Sequence, residues 1–121
     1  MAFIARMLDE EQFVLLQFEG ILTISALVAS RKALRLLLQD TPWRKILVDL
    51  QNVSNTVRTA DIHEFVSSHY KEFPANIRIA MIVDPRDWND SIFAEVISQN
   101  RGTKMRAFQN CDQAKEWLRA G

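Results

Sequence analysis

The order of hydrophobic and polar positions along this chain predicts an α/β fold. Short apolar runs, typical of buried strands, alternate with stripes at the i, i+3, i+4 spacing of one helix face. The runs that predict strands are Phe3–Leu8, Phe13–Phe18, Ile46–Val48, Ile77–Val83 and Met105–Phe108. The resulting order, β-β-α-β-α-β-α-β-α, predicts a mostly parallel sheet of about five strands, with an antiparallel N-terminal edge strand and four helices.

The first predicted helix is capped by Thr23 or Ser25 and runs to about Leu38, and Gly20 is expected to break the strand before it. Its predicted apolar stripe consists of Ile24, Leu27, Val28, Leu34, Leu37 and Leu38. The basic side chains between these positions are then expected to form a solvated outer face; they are Arg31, Lys32 and Arg35.

The centre of the chain is a strand, a polar loop and a helix. The strand ends at Asp49 and Leu50, and the loop Gln51–Arg58 is rich in Asn, Ser and Thr. Apolar or aromatic residues then recur at helical spacing, at Ile62, Phe65, Val66, Tyr70 and Phe73. Parallel α/β sheets place their binding sites in loops of this kind, at the carboxyl ends of the strands.

Two further helices complete the prediction. Asn89 or Asp90 caps a helix with Phe93, Val96 and Ile97 facing inward, and Gly102 follows its end. After the last strand, which is more polar as suits a sheet edge, Asp112 is expected to cap a helix. The residues that this final helix buries are Ala114, Trp117 and Leu118.

The 121 residues suit a single domain spanning positions 1–121, with 48% hydrophobic and 25% charged residues. Fifteen basic residues balance fifteen acidic ones, which disfavours a nucleic-acid surface. One cysteine, Cys111, excludes an internal disulfide and a cysteine metal site. Since the chain shows neither an export signal nor an apolar run long enough for a membrane span, we expect a cytoplasmic protein.

Four residues are candidates for a ligand or phosphorylation site: Arg58, Thr59, Asp84 and Trp88. Thr59 is expected to cap the second helix and can also accept a phosphoryl group or contact a ligand. Arg58 beside that helix start favours an anion. Asp84 and Trp88 follow the next parallel strand, so they should lie at the same edge, where Trp88 either folds back on the core or lines a pocket.

Other polar residues point to structural roles. His69 lies on the predicted apolar stripe and is expected to be a hydrogen-bonded, partly buried histidine, whereas His63 points elsewhere, so the two do not form a metal pair. Asp49 and Asp84 end parallel strands and are expected to shape turns. Without a nucleophile elbow or a phosphate loop, the sequence predicts no enzyme, no cofactor and no metal.

Several segments, in this order and spacing, resemble the STAS superfamily (sulfate transporter and anti-sigma factor antagonist domains), and its soluble SpoIIAA-like branch in particular. They include Gly20-Ile21-Leu22-Thr23, Lys45–Leu50, Phe73-Pro74, Arg78-Ile79-Ala80, Asn100-Arg101-Gly102 and Ala114–Leu118. The resemblance spans Phe13 to Leu118 and implies a wound β/α superhelix.

In anti-sigma factor antagonists of that superfamily, a serine in an Asp-Ser-Ser/Thr-Gly motif at the start of this helix is phosphorylated. Here the segment reads Arg58-Thr59-Ala60-Asp61, so a hydroxyl is kept at Thr59, while Ala60 occupies the usual acceptor position. The resemblance thus implies a regulatory binding module with a protein partner. The alternative is a carrier or sensor for a small amphipathic anion or lipid at the carboxyl edge. Strands apolar on both faces also lead us to expect an uncovered sheet face and a homodimer.

Overall fold

A five-stranded sheet with helices on both faces forms the fold in the computed structural model, which describes residues 3–55, 57–89 and 103–121. The strands are β1 (Phe3–Leu8), β2 (Phe13–Leu22), β3 (Lys45–Asn55), β4 (Arg78–Val83) and β5 (Lys104–Phe108). The helices are α1 (Ile24–Leu38), α2 (Thr59–Ser67), α3 (His69–Glu72) and α4 (Cys111–Arg119), and a 3₁₀ turn spans Pro85–Asp87.

The sheet has the predicted topology. Its strands follow one another in the order β1-β2-β3-β4-β5, with β1 antiparallel to β2 and all other pairs parallel, so β5 is an edge strand. Three helices of nine residues or more lie within the described ranges, where the sequence predicted four for the whole chain. The helix predicted to begin at Asn89 or Asp90 falls on residues 90–102, outside the described residues.

Strands β2 and β3 extend beyond their predicted ends. Gly20 does not break β2, because its positive φ of 81° is accommodated within the strand, just after a register shift between Gln17 and Glu19. The strand continues to Leu22, and its last residues pair with a segment of β3 that was predicted to be a polar loop. The prediction of a loop over residues 51–55 is therefore wrong. Pairing with β2 satisfies the backbone N–H and C=O groups of this segment, although its side chains are mostly polar.

Apolar residues on the two faces of the sheet form two separate cores. The larger lies between the sheet and α1, α2 and α3, and includes Val14, Leu16, Ile46, Ile79, Met81, Leu34, Leu38 and Val66. The smaller lies under α4 and includes Phe13, Leu47, Ala80, Ile82, Phe108, Ala114 and Leu118. The predicted stripe of α1 is wrong at two positions, since Ile24 and Val28 are 38% and 49% exposed. They lie beside the buried Ala26 and Ser30, which face the sheet instead.

Two helices begin with side-chain caps. Thr23 Oγ1 accepts a hydrogen bond of 3.1 Å from Ala26 N, which confirms one of the two predicted caps of α1. Helix α4 begins two residues earlier than predicted, so Asn110, with extended backbone, is its cap and accepts from Gln113 N at 3.2 Å. Asp112 lies in the first turn of that helix and is not the cap.

Candidate functional site

Arg58 and Thr59 lie at the start of α2, but neither caps it. Helix α2 begins at Thr59, which leaves Arg58 at the cap position with no side-chain hydrogen bond to the helix backbone. The prediction that Thr59 caps the helix is therefore wrong. Thr59 is the first residue of the helix itself, and the cap position is the residue before it. The Arg58 side chain is 82% exposed and its Nε lies 3.2 Å from Asp61 Oδ2.

Asp84 and Trp88 follow β4. Asp84 Oδ1 accepts from Arg86 N at 3.0 Å and so caps the 3₁₀ turn, which agrees with the predicted structural role. Trp88 is half-buried and packs against the larger core. Among the contacts of the described residues, no hydrogen bond, ion pair or ring contact joins Arg58 or Thr59 to Asp84 or Trp88. Arg86, in the turn after β4, instead donates through Nη2 to Val53 O of β3, at 3.0 Å.

A partly open cavity of about 120 Å³ lies against the larger core, between the sheet and helices α1, α2 and α3. Its walls are almost entirely apolar. They include Leu16, Ile46, Ile79 and Met81 from the strands, and Leu27, Leu34 and Phe65 from the helices. Four polar side chains complete the lining among the described residues: Ser30, Arg31, His69 and Asp87. The sequence did not predict this site, since it placed the pocket at the carboxyl edge of the sheet.

Arg31 points from α1 toward α2 and α3. Its Nη1 lies 2.8 Å from Phe65 O, 2.8 Å from Ser68 Oγ and 3.2 Å from His69 Nδ1. Its Cζ lies 4.3 Å from the centre of the Phe65 ring. Burial lowers the pKa of the guanidinium from its ordinary value, and Glu72 opposes that shift. The prediction that Arg31 belongs to a solvated face is wrong, because this side of α1 packs on the end of α2.

His69 is buried beside Arg31, as predicted, with only 4% of its surface exposed. Its ring lies between those of Phe65 and Phe73, at centre-to-centre distances of 4.9 and 5.2 Å. Burial, reinforced by the Arg31 cation, lowers the pKa of His69 to about 3. The imidazole is therefore neutral near pH 7, so Nδ1 accepts from Arg31 and the ring proton is assigned to Nε2.

The end of α2 explains how Arg31 and His69 meet. The predicted second helix is divided at Ser68, whose backbone has φ −95° and ψ 0°. Its N and Oγ both donate to Phe65 O, at 3.3 and 2.8 Å, and Arg31 donates to the same carbonyl. A cation at a helix C-terminus is stabilised by the exposed carbonyls and the helix dipole. Arg31 thus holds the end of α2 against α1.

One feature of the sequence marks Arg31. It lies four residues after Leu27 and three before Leu34, so it occupies a position of the apolar stripe that continues to Leu38. A cation at a core-facing position of a helix indicates a buried acceptor or a ligand. Spacing alone distinguishes Arg31 from Lys32 and Arg35, which are both exposed.

Other kinds of site find no support in the part of the chain that the structure describes. No group of three or more His, Cys, Asp or Glu side chains there is placed to hold a metal ion. Among the described helices, none is long and apolar enough to cross a membrane.

No family model matches the chain, and no curated protein sequence matches it. Two solved structures are similar to the chain over nearly its whole length. The anti-sigma factor antagonist SpoIIAA in its unphosphorylated form is similar with a TM-score of 0.68 and 16% identity, over 99% of this chain and 98% of that one. An uncharacterized protein from the DUF3478 family with a SpoIIAA-like fold, from Shewanella loihica PV-4, is similar with a TM-score of 0.62 and 20% identity, over 97% of this chain and 92% of that one. The SpoIIAA-like fold is thereby confirmed; at these identities the likeness concerns the fold alone.

Proposed function

We propose that this chain is a non-catalytic binding module that holds a small apolar or amphipathic molecule between its sheet and helices α1, α2 and α3. The cavity of about 120 Å³ in the larger core supports this proposal. Protein interiors are close-packed and contain few voids larger than a water molecule. An engineered apolar cavity of about 150 Å³ binds benzene, so a void of this size suits a ligand of about that volume.

The polar groups of the cavity are poorly suited to catalysis. His69 is the candidate base, but a pKa of about 3 makes it a weak proton acceptor near pH 7, and its Nδ1 already accepts from Arg31. Ser30 donates its hydroxyl proton to Leu27 O at 2.8 Å in its own helix, and no base activates it among the hydrogen bonds of the described residues. We therefore assign these groups to ligand orientation and structure.

Binding of a protein partner is the second candidate. Its support is an exposed apolar stripe formed by Ile21, Ile24 and Val28, with exposed fractions of 63%, 38% and 49%. Thr59 and Arg58 are also exposed, so a kinase or an anionic group can reach them. The proposed site at Arg58, Thr59, Asp84 and Trp88 stays a prediction on these grounds.

Toluene tests the cavity directly. We expect toluene to shift amide resonances of α1 and the facing strands and to raise the melting temperature of the wild-type protein, because a ligand that binds only the folded state stabilises it. Leu27→Phe should reduce both effects, since Leu27 is half-buried and lines the cavity. Leu37→Phe is the matched control, because Leu37 is half-buried on the same helix but does not line the cavity.

The proposal is wrong if toluene changes neither the spectrum nor the melting temperature of the wild-type protein. It is also wrong if Leu27→Phe and Leu37→Phe weaken toluene binding equally, since the ligand would then bind outside the cavity.

A further inference from the structure

We propose that Arg31 is the anion-binding group of the cavity, and that the cavity takes a small carboxylate with a compact apolar body, such as an aromatic or branched short-chain acid. This inference rests on the proposed function and specifies the chemistry of the ligand. It also moves the anion site from the exposed Arg58 to a half-buried cation beside the larger core.

The charge of the Arg31 guanidinium is not balanced by a contacting carboxylate of the described residues. Among the described residues, no carboxylate lies within ion-pair distance of it, and all its protein acceptors are neutral. Glu72 lies near enough to affect the pKa of Arg31, but its carboxylate pairs with Arg35 at 2.9 Å. A partly buried cation without an opposite charge is unfavourable, which makes the position receptive to an anion.

The remaining donors of Arg31 suit a carboxylate. Its three hydrogen bonds to described residues all involve Nη1, so Nε and Nη2 have no acceptor among those residues. These two nitrogens form one edge of the planar guanidinium, and two parallel N–H groups match the two oxygens of a carboxylate. The contacts of Nη1 fix the orientation of the group in advance, which lowers the entropy lost on binding.

The rest of the lining favours an apolar body with one negative charge. Arg31 is the one cationic group among the described lining residues, since His69 is neutral near pH 7. The acidic group in the lining, Asp87, lies 3.9 Å from Arg86 Nε, which partly balances its charge. With a volume of about 120 Å³, the space accepts a body about the size of a benzene ring. A long acyl chain exceeds this volume.

Benzoate, benzamide and toluene form the test set, because they share a ring and differ in charge. Binding is measured by calorimetry and by ¹H–¹⁵N spectra of the whole chain. We expect benzoate to bind the wild-type protein at least about tenfold more tightly than benzamide. Arg31→Met should remove that preference, and Lys32→Met, which removes an exposed cation on the same helix outside the lining, should keep it. Toluene binding should persist in both variants and shows that the cavity is intact.

The wild-type protein gives a second readout, which holds even if Arg31→Met fails to fold. Benzoate should shift the Nε–H resonance of Arg31, and benzamide should shift it less. If benzoate binds no more tightly than benzamide while toluene binds, the inference about Arg31 is overturned and the proposed function stands. The inference about Arg31 is also overturned if benzoate binds preferentially but shifts the Nε–H resonance of a different arginine. If neither toluene nor benzoate binds, both proposals fail.

Discussion

Arg31 and His69 are a polar pair inside an otherwise apolar layer. The neutral imidazole accepts a hydrogen bond from the guanidinium at 3.2 Å, and Phe65 and Phe73 flank the imidazole ring. A proton on Nδ1 would replace this hydrogen bond with two cations in contact, and burial of the imidazole limits the screening of their repulsion. The pair therefore depends on His69 remaining neutral.

Stability should consequently fall in mild acid. The pKa of His69 is about 3 in the folded protein and 6.5 in its ordinary state, so the unfolded chain binds this proton more readily. The contribution of neutral His69 to the free energy of unfolding is fully present above about pH 6.5. It is lost as the pH falls toward 3, by up to about 1.4 kcal/mol per pH unit. Urea unfolding at pH 7 and pH 5 measures the slope.

Two histidine variants separate this effect from other titrations. His69→Gln keeps an acceptor for Arg31 but does not titrate, so we expect it to lose most of the slope between pH 7 and pH 5. His63→Gln removes an exposed histidine and should keep the slope. Equal slopes in the wild type and His69→Gln would show that His69 does not titrate in this way.

The two threonines at helix starts should differ in their effect on stability. Thr23 caps α1 through its hydroxyl, so Thr23→Ala should lower the free energy of unfolding by about 1 kcal/mol. Thr59 is exposed and makes no cap, so Thr59→Ala should stay within about 0.5 kcal/mol of the wild type. Urea midpoints measured in parallel test both values; a larger loss for Thr59→Ala would place a cap there after all.

Residue roles were predictable where a side chain acts on its own segment. Thr23 and the turn at Asp84 follow from local hydrogen bonding, and the burial of His69 follows from its place on a helix stripe. Arg31 was misassigned because its acceptors are 34 to 38 residues away in the sequence. Thr59 was misassigned because the choice of cap depended on a helix boundary, which sequence patterns place only to within a few residues.

At the scale of secondary-structure elements, the sequence missed two strand segments, the second halves of β2 and β3, for the same reason. The second halves of β2 and β3 pair with each other in parallel, from Glu19 opposite Asn52 to Leu22 opposite Asn55. Neither segment has the side chains of a typical strand, since one contains Gly20 and the other is polar. Their strand character arises from pairing with a non-local partner, which a reading of local pattern does not include.

The division of the second helix at Ser68 is a similar case. Periodicity from Ile62 to Phe73 predicts one continuous helix, and the apolar side chains do keep facing the sheet on both sides of the break. The break depends on three donors that meet at Phe65 O, one of them from α1. The order of elements and the parallel topology were predictable because hydrophobic periodicity and chain connectivity determine them.

For the whole molecule, the expected uncovered sheet face is not observed. Helix α4 packs on that face, and Phe13, Leu47 and Ile82 are each at most 2% exposed. The argument from an uncovered face is therefore wrong, because α4 packs against it. Among the exposed large apolar side chains of the described residues, three lie around the start of α1: Ile21, Ile24 and Val28.

We still expect a homodimer, now through the stripe of Ile21, Ile24 and Val28. Sedimentation at micromolar concentration should give twice the chain mass. Val28→Lys should give monomers, because it places a charge within the apolar contact. Leu36→Lys, on the same helix but outside the stripe, is the control and should remain dimeric. A monomeric wild-type protein would contradict the prediction.

The cavity between the sheet and the helices also has a volumetric consequence. When the chain unfolds, the cavity of about 120 Å³ disappears and water packs around the released side chains, so the unfolded state occupies less volume. Hydrostatic pressure therefore acts against this fold. A molecule that fills the space would remove much of that volume difference and make the protein more resistant to compression.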